Sequence, residues 1–249
     1  MDRSLDEISI DNFIRHKPFF ESEAQDIMTY LRTLPLSEIS ERLRISPSLA
    51  IKAAQDAQLF TDLTHGKQAL MEYTGEVFKA LDIKTLSEND CQFANDHTLI
   101  ISSLYGMLTP ENIIRPYRMD YSSDCGPQGT KLSSFWKSKN TIALVNLIKE
   151  RKENEILNLM SGEAMKCIDF KVIKAFAKVE KPDFKTVSGM AQLKTPNTGR
   201  LKELRGLLLR HIISNRVDSF TDLMKISTAE FGVDSEHSKP GIPLILCND

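Results

Sequence analysis

Arginines beside small residues are the features of this chain with the clearest chemical reach. The segment Ser102-Ser103-Leu104-Tyr105-Gly106 runs on through Pro110 to Ile114-Arg115-Pro116-Tyr117-Arg118. Gly106 allows close approach to the backbone, and the two prolines stiffen the loop. The guanidinium forks of Arg115 and Arg118 suit phosphate or carboxylate, and Tyr117 offers a stacking face or a hydroxyl. The same residues would equally serve a structural loop whose arginines pair with carboxylates such as Asp120 and Asp124.

A second cluster is basic. Lys194, Arg200, Lys202, Arg205, Arg210, His211 and Arg216 stand among few acids, chiefly Glu203. A plain solvated helix face is the simpler account of such a run. Gly206 inside it costs roughly 1 kcal/mol against alanine, so a close neighbour is expected at its backbone. A third cluster is Asn158 with Ser161-Gly162-Glu163, where a strand runs into a small-residue turn and a helix start, a common place for anions to bind. No P-loop, nucleophile elbow, histidine metal motif or paired-carboxylate motif is present. The sequence therefore names no catalytic residue, and no metal or cofactor is expected.

These residues must be positioned by a chain of 249 residues, long enough to bury a substantial core unaided. Hydrophobic residues make up 41% and charged residues 27%, as in ordinary soluble globular proteins. The formal net charge of −2 argues against coating nucleic acid over the whole surface and leaves room for a local basic patch. Cys91, Cys125, Cys167 and Cys247 lie far apart, which fits reduced thiols better than a disulfide framework or a zinc site. No apolar run approaches a membrane span and the first residues are too polar for a signal peptide, so a cytoplasmic protein with no membrane partner is expected.

Spacing predicts a helix over 19–33 with an apolar stripe of Phe20, Ala24, Ile27, Met28 and Leu31, ended by Pro35. Residues 37–60 read as helix, tight turn, helix, with Ser46 as N-cap and Pro47 in the first turn. Short strands are expected at 98–102 and 155–159, and a helix over 131–149 lies between them. Further strands are expected at 172–179 and 184–193, then a helix over 199–214 and a last strand at 244–246. The whole reads as one α/β domain, residues 1–249, with a mixed sheet flanked by helices.

Several of these segments, in order, resemble the bacterial peroxide stress protein YaaA family. They are Tyr73-Thr74-Gly75-Glu76-Val77-Phe78, Leu104 to Gly106 with Pro110, Arg115 to Arg118, Phe135-Trp136, Asn158 to Glu163, and Lys202, Arg205-Gly206, Arg210 and Asn215-Arg216. The resemblance covers about residues 19–246. It departs where Glu203 replaces a second lysine and where Glu230 precedes Phe231 in place of glycine. The family opens with an apolar strand leading to a lysine turn, whereas Met1-Asp2-Arg3 begins just past that point, so a sheet without the family's first strand is expected.

The resemblance implies a cytosolic protein of the hydrogen peroxide response that limits free iron and oxidative DNA damage. It also implies binding of double-stranded DNA through a helix-hairpin-helix element, whose best local match is residues 37–60. Two readings stay open. In the first, Arg44, Ser46, Ser48, Lys52, Arg115, Arg118, Lys202, Arg205 and Arg210 contact phosphates. In the second, the chain is an enzyme acting on a nucleotide or small anionic ligand in a pocket of Ser102, Tyr105, Gly106, Tyr117, Asn158, Ser161 and Glu163 with Arg115 and Arg118.

Overall fold

The computed structural model describes residues 14–62, 65–188 and 192–247. The expectation about the opening strand concerns residues 1–13, outside the described ones. A mixed α/β fold is observed. Helix α1 (Glu21–Thr33) buries Ala24, Ile27, Met28 and Leu31, the stripe set by its three- and four-residue spacing, and stops where Leu34 turns extended before Pro35. Helix α2 (Leu36–Leu43) buries Ile39 and Leu43, and α3 (Pro47–Leu59) packs on both through Ala50, Ala53 and Ala57. Small side chains on that face let α3 pack closely on each of the other two.

Next come β1 (Lys67–Gln68), α4 (Ala69–Glu72), α5 (Glu76–Leu81) and α6 (Glu88–His97). Strands β2 (Ile100–Ser102) and β3 (Gly106–Leu108) form an antiparallel hairpin, and β4 (Ile113–Ile114) pairs antiparallel with β1. Helix α7 (Leu132–Arg151) leads to β5 (Glu155–Leu157), α8 (Gly162–Met165), α9 (Phe170–Ile173) and β6 (Lys178–Glu180). The chain ends with β7 (Asp183–Ser188), β8 (Gln192–Lys194), α10 (Thr198–Asn215), α11 (Phe220–Leu223), β9 (Phe231–Lys239) and β10 (Ile242–Cys247).

These elements gather into two compact units. The first holds the chain up to Thr74, Thr98–Leu144 and Met160–Phe170; the second holds Gly75–His97, Val145–Leu159 and the chain from Lys171 on. In the first, Trp136, Tyr105, Phe60, Ile27 and Leu104 are fully buried. In the second, four strands run in the order β8-β7-β10-β9, with β10 parallel to β7 and antiparallel to β9. One face of that sheet, carrying Phe184, Ile245, Cys247 and Phe231, forms a core with Leu204 and Leu208 of α10 and Phe220 and Leu223 of α11.

Two strand expectations are corrected. The segment 172–179 is not one strand: α9 extends to Ile173 and β6 starts at Lys178, pairing in parallel with β5. A short apolar run with β-branched residues fits a buried helix turn as well as a strand. The segment 184–193 is two strands of an antiparallel pair, with Val187 opposite Leu193, so β7 turns back on β8 and takes β10, not β6, as its other neighbour.

Gly206 of α10 has the close neighbour its position implies, and that neighbour is protein. A Cβ there would fall 2.2 Å from the Val77 carbonyl oxygen and 2.7 Å from the Ala80 Cβ, both on α5. One turn further on, Arg210 donates from Nη1 to the carbonyls of Leu81, at 2.7 Å, and Asp82, at 3.0 Å. These are carbonyls that the end of a short helix leaves without intrahelical partners. Gly206→Ala is therefore expected to lower the unfolding free energy by about 1–3 kcal/mol through overpacking against backbone. An unchanged urea midpoint would contradict this helix contact.

Candidate nucleic-acid interface

The turn between α2 and α3 presents polar groups to solvent for reasons of backbone geometry. Arg44 follows the last residue of α2 in the left-handed conformation, φ 57° and ψ 47°. The turn lacks glycine, and Arg44 itself adopts the conformation a glycine would supply, at a cost of roughly 1–2 kcal/mol. Ile45 N–H then donates to Ser40 O at 3.0 Å, and Ser40 Oγ donates to Ile45 O at 2.6 Å, which locks the turn. Ser46 is the N-cap of α3, and its carbonyl accepts from Leu49 and Ala50 N–H at 3.0 and 2.9 Å.

The Ser46 hydroxyl is not spent on capping. It lies 3.0 Å from Ser48 Oγ, and both residues are exposed. Pro47 brings no N–H, so the α3 start offers the Ser48 amide with the two hydroxyls. Lys52 is exposed one turn along α3 and forms no ion pair among the described residues, while Arg44 pairs with Asp124 at 3.4 Å. This edge combines a helix start, two hydroxyls and two cations, a set suited to an anionic backbone.

The loop read as a phosphate contact proves to be interior. Arg115 is only 3% exposed and forms a buried ion pair with Glu21. Its Nη1 donates to the Phe60 carbonyl at 2.6 Å, and its guanidinium lies 3.9 Å from the centre of the Phe60 ring. Its backbone N–H donates to Tyr105 Oη at 2.9 Å. Burial pushes the Glu21 carboxyl up from the ordinary carboxylate range, and the adjacent guanidinium opposes that push. The carboxylate partner is thus Glu21, not Asp120 or Asp124, and Arg115 is a structural cation with no face turned to a ligand in water. Arg118 is exposed and forms no ion pair among the described residues.

The hydroxyls of the loop are likewise committed. Ser102 Oγ accepts from Leu104 and Tyr105 N–H at 3.2 and 2.9 Å and lies 2.8 Å from Tyr117 Oη. Tyr117 Oη lies 3.0 Å from Tyr73 Oη. Tyr105 is fully buried, and burial pushes its phenol far above the ordinary value. Gly106 has φ +68°, and a Cβ there would meet the Trp136 ring at 2.7 Å and Asn140 Oδ1 at 2.8 Å. The Leu104-Tyr105-Gly106 and Phe135-Trp136 segments are thereby explained as two sides of one packing contact, joined by the Trp136 indole N–H donating to Ser103 O at 2.7 Å.

The remaining candidates divide between the units. In the first, Ser161 caps α8 by accepting from Ala164 N–H, and Glu163 is an exposed carboxylate paired with Lys166 at 3.0 Å. In the second, Asn158 is buried and its N–H donates to Glu180 O at 2.7 Å. Lys202 is exposed, Arg205 is half-buried with its pKa lowered by that burial, and Arg210 is engaged by the end of α5.

Among the described residues no group of three or more His, Cys, Asp or Glu is placed to hold a metal ion, and no helix is long and apolar enough to cross a membrane. Cys125 and Cys167 are fully buried, which pushes both thiols up to about 12, and burial pushes Cys247 up to about 11. Burial, then the Asp90 and Glu88 carboxylates, also raise Cys91, so no thiol has the lowered pKa of a reactive cysteine. The sequence left Glu21 and Asp124 without their true roles, because both pairings span most of a unit.

Arg115→Ala is expected to cost about 3–5 kcal/mol, because it strands the Glu21 carboxylate in the interior. The salt dependence of any anion binding should stay as in the parent chain. Near-unchanged stability with a shallower salt slope would instead mark Arg115 as a surface phosphate contact.

A family model described as peroxide stress protein YaaA matches residues 3–237. A UPF0246 protein of Francisella philomiragia subsp. philomiragia is 26% identical over 237 residues, covering 91% of this chain and 89% of that protein. One from Francisella tularensis subsp. novicida is 28% identical over 232 residues, covering 89% and 87% respectively. With a match that runs along nearly the whole chain, through the hairpin, the buried arginine loop and the basic helix alike, this chain belongs to the peroxide stress protein YaaA family.

Proposed function

We infer that this chain is a cytoplasmic hydrogen peroxide stress protein that binds double-stranded DNA through the α2–α3 hairpin and limits free iron and oxidative damage to the duplex. The observation that carries the DNA half is the hairpin itself. Its turn is locked in a left-handed conformation, and it presents Ser46, Ser48, Arg44 and Lys52 around the start of α3. Iron limitation rests on family membership, and its check is the chelatable iron of cells with and without the chain during peroxide exposure.

Binding of this kind is electrostatic. The side chains on the hairpin edge are hydroxyls and cations that match phosphate oxygens, and among the described residues no helix presents a spaced set for reading base edges. With a net charge of −2 the attraction is local to the hairpin, so the footprint is small and the slope of log K against log salt is set by the few phosphates contacted. In the first unit Arg118 is a further exposed cation.

Fluorescence anisotropy with a labelled duplex over a salt series tests this reading. Lys52→Ala should weaken binding to unrelated duplexes alike and make the slope of log K against log salt shallower by about one. An unchanged slope, or a loss confined to one DNA sequence, would contradict it.

A further inference from the structure

A carboxylate and a phosphate ester present nearly the same pair of oxygens to a guanidinium. On the hairpin, one of the two cations already has such an occupant. Arg44 Nη2 lies 3.4 Å from Asp124 Oδ2, and the two side chains are 55% and 34% exposed, so a phosphate can reach the same atoms.

The placement of Asp124 does not depend on that ion pair. Its N–H donates to Arg42 O at 3.2 Å, and its own carbonyl accepts from Arg42 Nη1 at 3.4 Å. On either side, Ser123 O accepts from Leu132 N–H at 3.0 Å and Cys125 is fully buried. Arg42 is held in turn by Glu38 at 3.2 Å on α2. The loop is thus docked on the end of α2 by backbone groups and by Arg42, while the Asp124 carboxylate points to Arg44.

We propose that Asp124 is an internal competitor for phosphate at the hairpin. Its carboxylate holds Arg44 while duplex is absent and must yield it when a DNA phosphate arrives. This rests on the reading of the hairpin as the duplex-binding element. Exposed ion pairs are weak, so the competition tunes affinity without blocking it. The device also sets salt sensitivity: screening loosens the internal pair along with the DNA contact.

Removing the carboxylate has an effect opposite in sign to that of a structural role. Asp124→Asn keeps the backbone bonds to Arg42 and should bind duplex about two- to fivefold tighter at low salt. Arg44→Ala should bind more weakly than the parent, and adding Asp124→Asn to it should restore no more than the small gain due to one fewer negative charge. Urea midpoints check that each variant is folded, and Asp124→Ser serves if Asp124→Asn is not. Equal or weaker binding by a folded Asp124 variant, with Arg44→Ala still weakened, overturns the competitor and leaves the hairpin reading standing. If neither Arg44→Ala nor Lys52→Ala changes binding, the hairpin reading falls and the competitor with it.

Discussion

The first unit is organised around one charge taken out of water. The Arg115 guanidinium meets the Glu21 carboxylate at the start of α1 and the Phe60 carbonyl and ring at the end of α3, while its backbone holds the Tyr105 hydroxyl. Leaving such a cation unpaired in the interior would cost several kcal/mol, so these partners hold the ends of α1 and α3 to the loop. The consequence reaches the surface. Helix α3 is the second arm of the exposed hairpin, and its far end is fixed by Arg115 while its start carries Ser46, Pro47 and Ser48.

A second constraint sits at the other end of α3. Two helices joined by three residues need a sharp reversal, and Arg44 supplies it by adopting a conformation that suits glycine. The two hydrogen bonds between Ser40 and Ile45 hold the turn against that backbone cost and leave a long cation at its tip. Asp82 and Arg216 end α5 and α10 in the same left-handed conformation, so the turn is an ordinary helix end. Asp124 pairs with Arg44 at 3.4 Å.

Local rules made the hairpin legible. Pro35, Ser46 and Pro47 mark its boundaries, and the α1 stripe and the α10 helix follow from spacing alone. Long-range pairing was not legible. Nothing near Arg115 in sequence points to Glu21, which stands 94 residues earlier, and an arginine between prolines looks the same whether it faces water or the core. Gly206 announced a close neighbour but not its identity, which is the Val77 carbonyl. The segment 172–179 misled because its apolar residues suit a helix turn and a strand equally. Much of the family resemblance likewise marks packing: Gly106 against Trp136, and Gly206 and Arg210 against α5.

The central claim is that duplex DNA is held at the start of α3. Amide hydrogen exchange of the whole chain, with and without a saturating duplex at low salt, tests it most directly. The account predicts slower exchange across residues 44–52, strongest at the Ser48 amide, while the interior loop around Arg115 stays unchanged. Bound duplex with unaltered exchange over 44–52 and protection elsewhere would contradict it.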